Sequence, residues 1–137
     1  MFSTEVLSPG IGGVEQMFYA GTVAFNTPGI NSGVELCELP KNIIITRAVA
    51  VVNKAFNAGT SNVLTVGVND AVNDLMGSGD IDVSTAGVNI VHRFIQYGSG
   101  QIVKAKYAQT GNAATTGNAD IYLFGVRMQV FAMRILP

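Results

Sequence analysis

Apolar side chains recur along the chain in short runs, and clusters of turn-forming residues separate them. Within most runs apolar and polar positions alternate, which is the period of a pleated strand rather than of a helix. The pattern predicts eight strands, over Gln16–Phe25, Gly33–Leu39, Asn42–Phe56, Asn62–Val68, Asp80–Ser84, Val88–Tyr97, Gln101–Tyr107 and Ala119–Phe131. Between them stand "NTPGINSG", "PK", "NAGTS", "NDAVNDLMGSG", "TAG", "GSG" and "QTGNAATTGN", all rich in Gly, Pro, Asn, Asp or Ser. The third run, "IIITRAVAVVNKAF", also fits a helix with Ala48, Val51, Val52 and Ala55 on one face. Its density of β-branched residues and the lack of a helix cap after Pro40 favour a strand, apolar on both faces. "AVNDLM" at Ala71–Met76 is the one candidate for a helical turn.

Eight short antiparallel strands with short connections predict an all-β fold, an antiparallel β-sandwich of jelly-roll type. Two four-stranded sheets would pack about 10 Å apart. Residues 1–15, containing "SPGIGG", lack strand periodicity and read as an N-terminal arm; residues 16–131 form the sandwich, and residues 132–137 a C-terminal tail. The last apolar run, Ala119 to Leu136, would extend about 55–60 Å as one strand, far beyond the usual length. Both extended arms therefore leave the domain in this reading. Their apolar residues Phe2, Val6, Leu7 and Ile11, and Phe131, Met133, Ile135 and Leu136, are expected to dock on neighbouring chains, with Phe2, Leu7, Ile11, Phe131 and Leu136 as the main contacts.

Composition sharpens this picture. The 137 residues fit one domain, 48% are hydrophobic and only 12% charged, against roughly 25% in ordinary domains. Positions that would otherwise carry charge must be small, polar or covered by a partner. The net charge is −1 and the basic residues are dispersed, so no nucleic-acid footprint is present. Lys104 and Lys106 share a strand face, read as a solvated edge. The opening residues lack a basic region and a long apolar core, so no signal peptide is expected, and no uncharged window of about 18 apolar residues predicts a membrane span.

Candidate chemistry is sparse. Cys37 is the only cysteine, which excludes an intramolecular disulfide, and it reads as a buried, inert thiol. His92 is the only histidine; alternation in "VNIVHRFIQY" sets it with Val88, Ile90 and Phe94, as a structural residue without a nucleophile to serve. The glycine clusters lack the strand–helix setting of a phosphate loop. These features predict no enzymatic activity and no cofactor. "NDAVNDLMGSGDID" groups Asp70, Asp74, Asp80 and Asp82, weak candidates for calcium. The spacing misses the EF-hand pattern, and turn formation through Asp and Asn side chains is the competing account.

The segments "ELCELPKNIIITRAVAVVNKAFNAGTSNVLTVGVNDAVNDLM", "DIDVSTAG" and "VKAKYAQTGNAATTGNADIYLFG" resemble small structural proteins of tailed-bacteriophage virions, over roughly Glu35 to Gly125. "AFNAGTSNVLTVG" and "GNAATTGNADIYL" carry the likeness best. The resemblance implies a virion structural protein made in the host cytoplasm. Its first form is a capsid cement or head decoration protein, bound to the major capsid protein and to itself as a homotrimer, with no nucleic acid or membrane partner. A tail, collar or fibre-base component is the alternative within the virion. A carbohydrate-binding β-sandwich, with Tyr19, Tyr97, Tyr107 and Tyr122 as a platform, is the alternative outside it.

Overall fold

The computed structural model describes residues 14–128. Seven strands follow one another: β1 (Gln16–Ala24), β2 (Val34–Leu39), β3 (Ile43–Lys54), β4 (Ser61–Gly67), β5 (Gly87–Tyr97), β6 (Gln101–Thr110) and β7 (Asn118–Arg127). They form a four-stranded sheet in the order β1-β7-β3-β5 and a three-stranded sheet in the order β2-β6-β4, each antiparallel. Every connection switches sheet, and the first strand pairs with the last. That wrapping is the jelly roll expected from the sequence, in a four-plus-three version.

The eighth strand, expected over Asp80–Ser84, is absent. Ile81 and Val83 do alternate inward, both buried, so the burial period that suggested a strand is real. The backbone turns instead, because the acids bond locally. Asp80 Oδ2 accepts from Gly77 N at 2.7 Å, and Asp82 Oδ1 accepts from Ser84 N at 3.0 Å. The eighth place beside β4 is held by Met76, through a single antiparallel bridge to Val66 with both bonds at 2.9 Å. The helical turn expected over Ala71–Met76 is likewise not formed. Val72 takes a positive φ of 54°, unusual for a β-branched residue, and Leu75 N donates to Val66 O at 3.0 Å.

The core lies between the sheets. Ile43, Ile45 and Val52 of β3 and Ile121 and Leu123 of β7 face Leu39, Leu64, Val66, Val103 and Tyr107. Ala48, Ala50, Ala105 and Ala119 leave room for these larger side chains. The Tyr107 ring packs 4.8 Å from that of Phe56, and its hydroxyl bonds the Asn62 amide. Cys37 is half-buried rather than fully buried, beside an irregularity of β2, and burial raises its thiol pKa.

Two β-bulges decide which residues face outward. In β3 the register shifts between Ile45 and Arg47; in β1 it shifts between Tyr19 and Gly21. Before the β3 bulge odd-numbered residues point inward. After it, Ala48, Ala50 and Val52 do, and Arg47, Val49 and Val51 point out. The bulge thus breaks the strict alternation that made this run ambiguous in the sequence.

Candidate functional site

The outer face of the four-stranded sheet is built from side chains that alternate with the core. Register sets them in rows. Met17, Phe124, Arg47 and His92 form one row; Tyr19, Tyr122, Val49 and Ile90 the next; Thr22, Asp120, Val51 and Val88 a third. Phe94 continues the same face of β5. Such a face on a solvated sandwich usually carries charge. Here Phe94 is 79% exposed, Val88 62%, Met17 58%, Tyr19 56% and Ile90 51%.

The relief is a shallow trough of about 370 Å³ running along β3. Val49 and Val51 make its floor, Tyr122 and Phe124 one wall and Ile90 the other. Short β-branched residues on the middle strand, flanked by larger ones on its neighbours, produce that shape. Arg47 closes one end. Its guanidinium lies 4.1 Å from the Phe124 ring centroid and pairs with Glu15 at 2.8 Å. Thr46 also donates to the Glu15 carboxylate, and these two partners, Thr46 first, hold its pKa below the usual range.

A polar corner borders the trough. The Tyr19 hydroxyl meets Thr22 Oγ1, which donates to Asp120, and Asn53 Nδ2 donates to Asp120 Oδ2 at 2.9 Å. The Thr22 bond, then the Asn53 bond, lowers the Asp120 pKa. A depressed folded-state pKa contributes stability above the unfolded value of about 3.9, and that stability is lost as pH falls through the folded value. Acid titration of unfolding should therefore show Asp120→Asn losing less stability than the unaltered protein between about pH 4 and pH 2. Equal losses would remove this role from Asp120.

The other sheet presents a different surface. Glu35 and Glu38 of β2 and Lys104 and Lys106 of β6 face outward, and Glu35 stands opposite Lys104. The two lysines lie on the central strand of that sheet, not on an edge as the sequence suggested. Ile102, at 38%, is the one large apolar residue exposed on this side among the described residues. The four-stranded side mixes a few polar groups with most of the exposed large apolar side chains, whereas the three-stranded side presents paired acids and lysines.

Three solved structures share this fold. A chain in the cyanophage Pam1 capsid asymmetric unit superposes with a TM-score of 0.63 and 17% identity, over 88% of this chain and 89% of that one. A chain in the acid-stable capsid of Helicobacter pylori bacteriophage KHP30 gives 0.57 and 16%, over 86% and 97%. A chain in the capsid of Ralstonia phage GP4 gives 0.53 and 20%, over 90% and 89%. No protein-family model and no curated protein matches the sequence.

Phe2, Leu7, Ile11, Phe131 and Leu136 lie outside the described residues. Asp70, Asp74, Asp80 and Asp82 do not converge, and among the described residues no three His, Cys, Asp or Glu side chains gather as a metal site would require. Asp70 is exposed at a turn. Asp74 accepts from Val68 N at 2.8 Å and from the Tyr97 hydroxyl at 3.1 Å; burial and then this carboxylate raise the Tyr97 pKa. Asp80 pairs with Arg93 at 2.9 Å, and Arg93 also donates to Leu75 O, which fixes the long β4–β5 connection to β5. Chelation should leave the melting midpoint within about 1 °C of its value in calcium. A rise on calcium addition would instead make these acids ligands.

The four tyrosines do not form one platform. Tyr19 and Tyr122 adjoin on the outer face, 5.3 Å apart and tilted by 51°, whereas Tyr97 and Tyr107 turn toward the core. His92 shares a face with Val88, Ile90 and Phe94 as alternation predicted, but that face is exposed, so it is no core histidine. What the sequence reading missed was this surface itself. Its signals were the two-sided apolar character of β3 and the low charge share.

Proposed function

We propose that the protein is a structural component of a bacteriophage virion, a capsid cement or decoration subunit that binds major capsid subunits and stabilises the head. The observation that carries this reading is the apolar outer face of the β1-β7-β3-β5 sheet, opposite a charged face, on a fold shared with chains of phage capsids. An exposed apolar surface of this extent suits a partner. The polar side then faces solvent. Self-association as a homotrimer fits the same surface economy, and copies arrayed on a shell gain from avidity without any single strong contact. The terminal segments, with Phe2, Leu7, Ile11, Phe131 and Leu136, supply further attachment. This reading assigns the protein a structural role and no reaction.

The test is binding of purified protein to empty heads that lack it. The expected result is saturable occupancy at a fixed copy number, with density on the shell and increased resistance of the heads to heat. Occupancy only at the tail vertex would move the protein to the collar or tail. No association with any particle would reject the virion reading.

A further inference from the structure

We propose that two copies of this chain pair through the free edges of β5, antiparallel about a two-fold axis, with Asn89 opposite the partner's Asn89. A sheet edge offers a row of unpaired N–H and C=O groups, and it accepts another strand unless something blocks it. Among the described residues the two sheets have four edges, and three are blocked. β1 carries the bulge between Tyr19 and Gly21, and Gly21 lies so close to β2 that an added Cβ would meet Leu36 Cδ2 at 3.3 Å. β2 has six residues, two of them glutamates, and its register shifts between Glu35 and Cys37. β4 is occupied on its outer side by Met76, through the bridge at Val66. β5 differs. From Gly87 to His92 it runs in unbroken register with β3 and contains no Asp, Glu, Lys, Arg or Pro.

The backbone of this segment is free on its outer side. Among the described residues, the only bond to a Gly87–His92 backbone atom outside the β3 ladder comes from the adjacent Arg93, to His92 O at 3.3 Å. Inward side chains hold the strand in place. Asn89 Oδ1 accepts from Asp82 N at 3.0 Å, and Arg93 turns its charge inward onto Leu75 O and Asp80, at 3.0 and 2.9 Å. Asp82 turns its own carboxylate onto Ser84. These charged groups are thus engaged within the subunit and do not guard the edge.

A second copy of β5 fits this edge. Pairing on Asn89 sets Val88 opposite the partner's Ile90, twice by symmetry, on the outer face. Cross-strand pairs of β-branched residues stabilise a ladder. On the inner face Gly87 stands opposite the partner's Val91, and nothing lies within 4 Å of a Cβ added at Gly87, which leaves room for that side chain. An axis at Ile90 would instead set Val88 against the partner's His92. A net charge of −1 per chain opposes the pairing little. The contact is isologous, so it joins copies in pairs and is separate from any threefold contact. It does not rest on the capsid reading.

Two measurements on the free, full-length chain test the pairing. In a Cys37→Ser background, isotopically heavy Val88→Cys protein is mixed with light Ile90→Cys protein and oxidised gently. Mass spectrometry should show heavy–light disulfides about tenfold above those formed when Ile102→Cys, on the opposite sheet, replaces Ile90→Cys. No excess over that control overturns the proposal. So do disulfide dimers of Ile90→Cys protein alone above the control, which would move the axis to Ile90. The second measurement is amide hydrogen exchange of the unaltered protein at about 10 µM and about 500 µM. The higher concentration should slow exchange about fivefold at alternate residues between Gly87 and His92. Protection there that ignores concentration would mean that the chain itself covers the edge. Cross-links without slowed exchange would mean that faces meet rather than edges. Either result overturns the proposal. No heads are present in these measurements, so the capsid reading and this one can fail separately.

Discussion

Aspartate at both Val88 and Ile90 should abolish attachment to heads while leaving the sandwich folded. Both side chains stand in the exposed rows of β5, at 62% and 51% exposure, so the isolated subunit gives up little packing when they change. Stability should fall by no more than about 1 kcal/mol, mainly through the poor strand propensity of aspartate. On the shell the balance differs. Each apolar side chain buried against a partner is worth about 1.5–3 kcal/mol, so the pair contributes about 3–6 kcal/mol. That corresponds to a loss of roughly 10²–10⁴-fold in affinity before the cost of burying two carboxylates is added. Cosedimentation with heads and circular dichroism of the free protein together check the expectation. Undiminished binding by a folded double variant would mean that this face is not the shell contact. Glu35→Lys on the opposite sheet serves as the control, with an expected change of less than about threefold.

Alanine at Gly67 should cost about 3 kcal/mol or more of folding stability. Gly67 closes β4 where the β4–β5 connection folds back on it. An added Cβ would meet Asp74 Oδ1 at 2.4 Å, Asn73 N at 2.5 Å and Asp74 N at 2.8 Å. Two of those three are backbone atoms, so no rotamer change relieves the contact. The connection must move, and with it the Asp74 bonds to Val68 and Tyr97 and the seat of the buried Leu75 and Met76. Gly98, in the turn between β5 and β6, has nothing within 4 Å of its added Cβ, and alanine there should change stability by less than about 0.5 kcal/mol. Denaturant unfolding of the two variants side by side gives the comparison. Similar midpoints would show that the connection yields more easily than its contacts imply.

The seven strands could be read from the sequence because local alternation and turn chemistry agree with the final fold. The limits of that reading have identifiable causes. In β3 the bulge at Thr46 shifts the inward face by one residue, so no single period describes Ile43 to Lys54. At Asp80–Ser84 the apolar residues do point inward, but carboxylates compete for the backbone and replace strand pairing with turns. The outer face was harder still. A strand apolar on both sides reads as doubly covered, and nothing local distinguishes cover by a second layer from cover by a partner. Only the sheet order, which sets Val88, Ile90, Val49, Val51, Tyr122 and Tyr19 on one surface, makes that distinction, and sheet order depends on pairings far apart in the chain. The polar corner around Asp120 depends on the same long-range register, since Thr22, Asn53 and Asp120 meet from three strands.

The nested wrapping has a consequence for how the subunit is made. Of the described strands β7 is the last to leave the ribosome, yet it lies between β1 and β3 and joins them within their sheet. A nascent chain that has reached β6 therefore has β1 without a partner in its sheet and β3 with one side unpaired. Closing these pairs requires contacts between the two ends of the chain, a slow step of high contact order. Until then the apolar residues of β3 stand open to other nascent chains. Synthesis of truncated fragments ending before Asn118 should therefore yield aggregates rather than partial sandwiches.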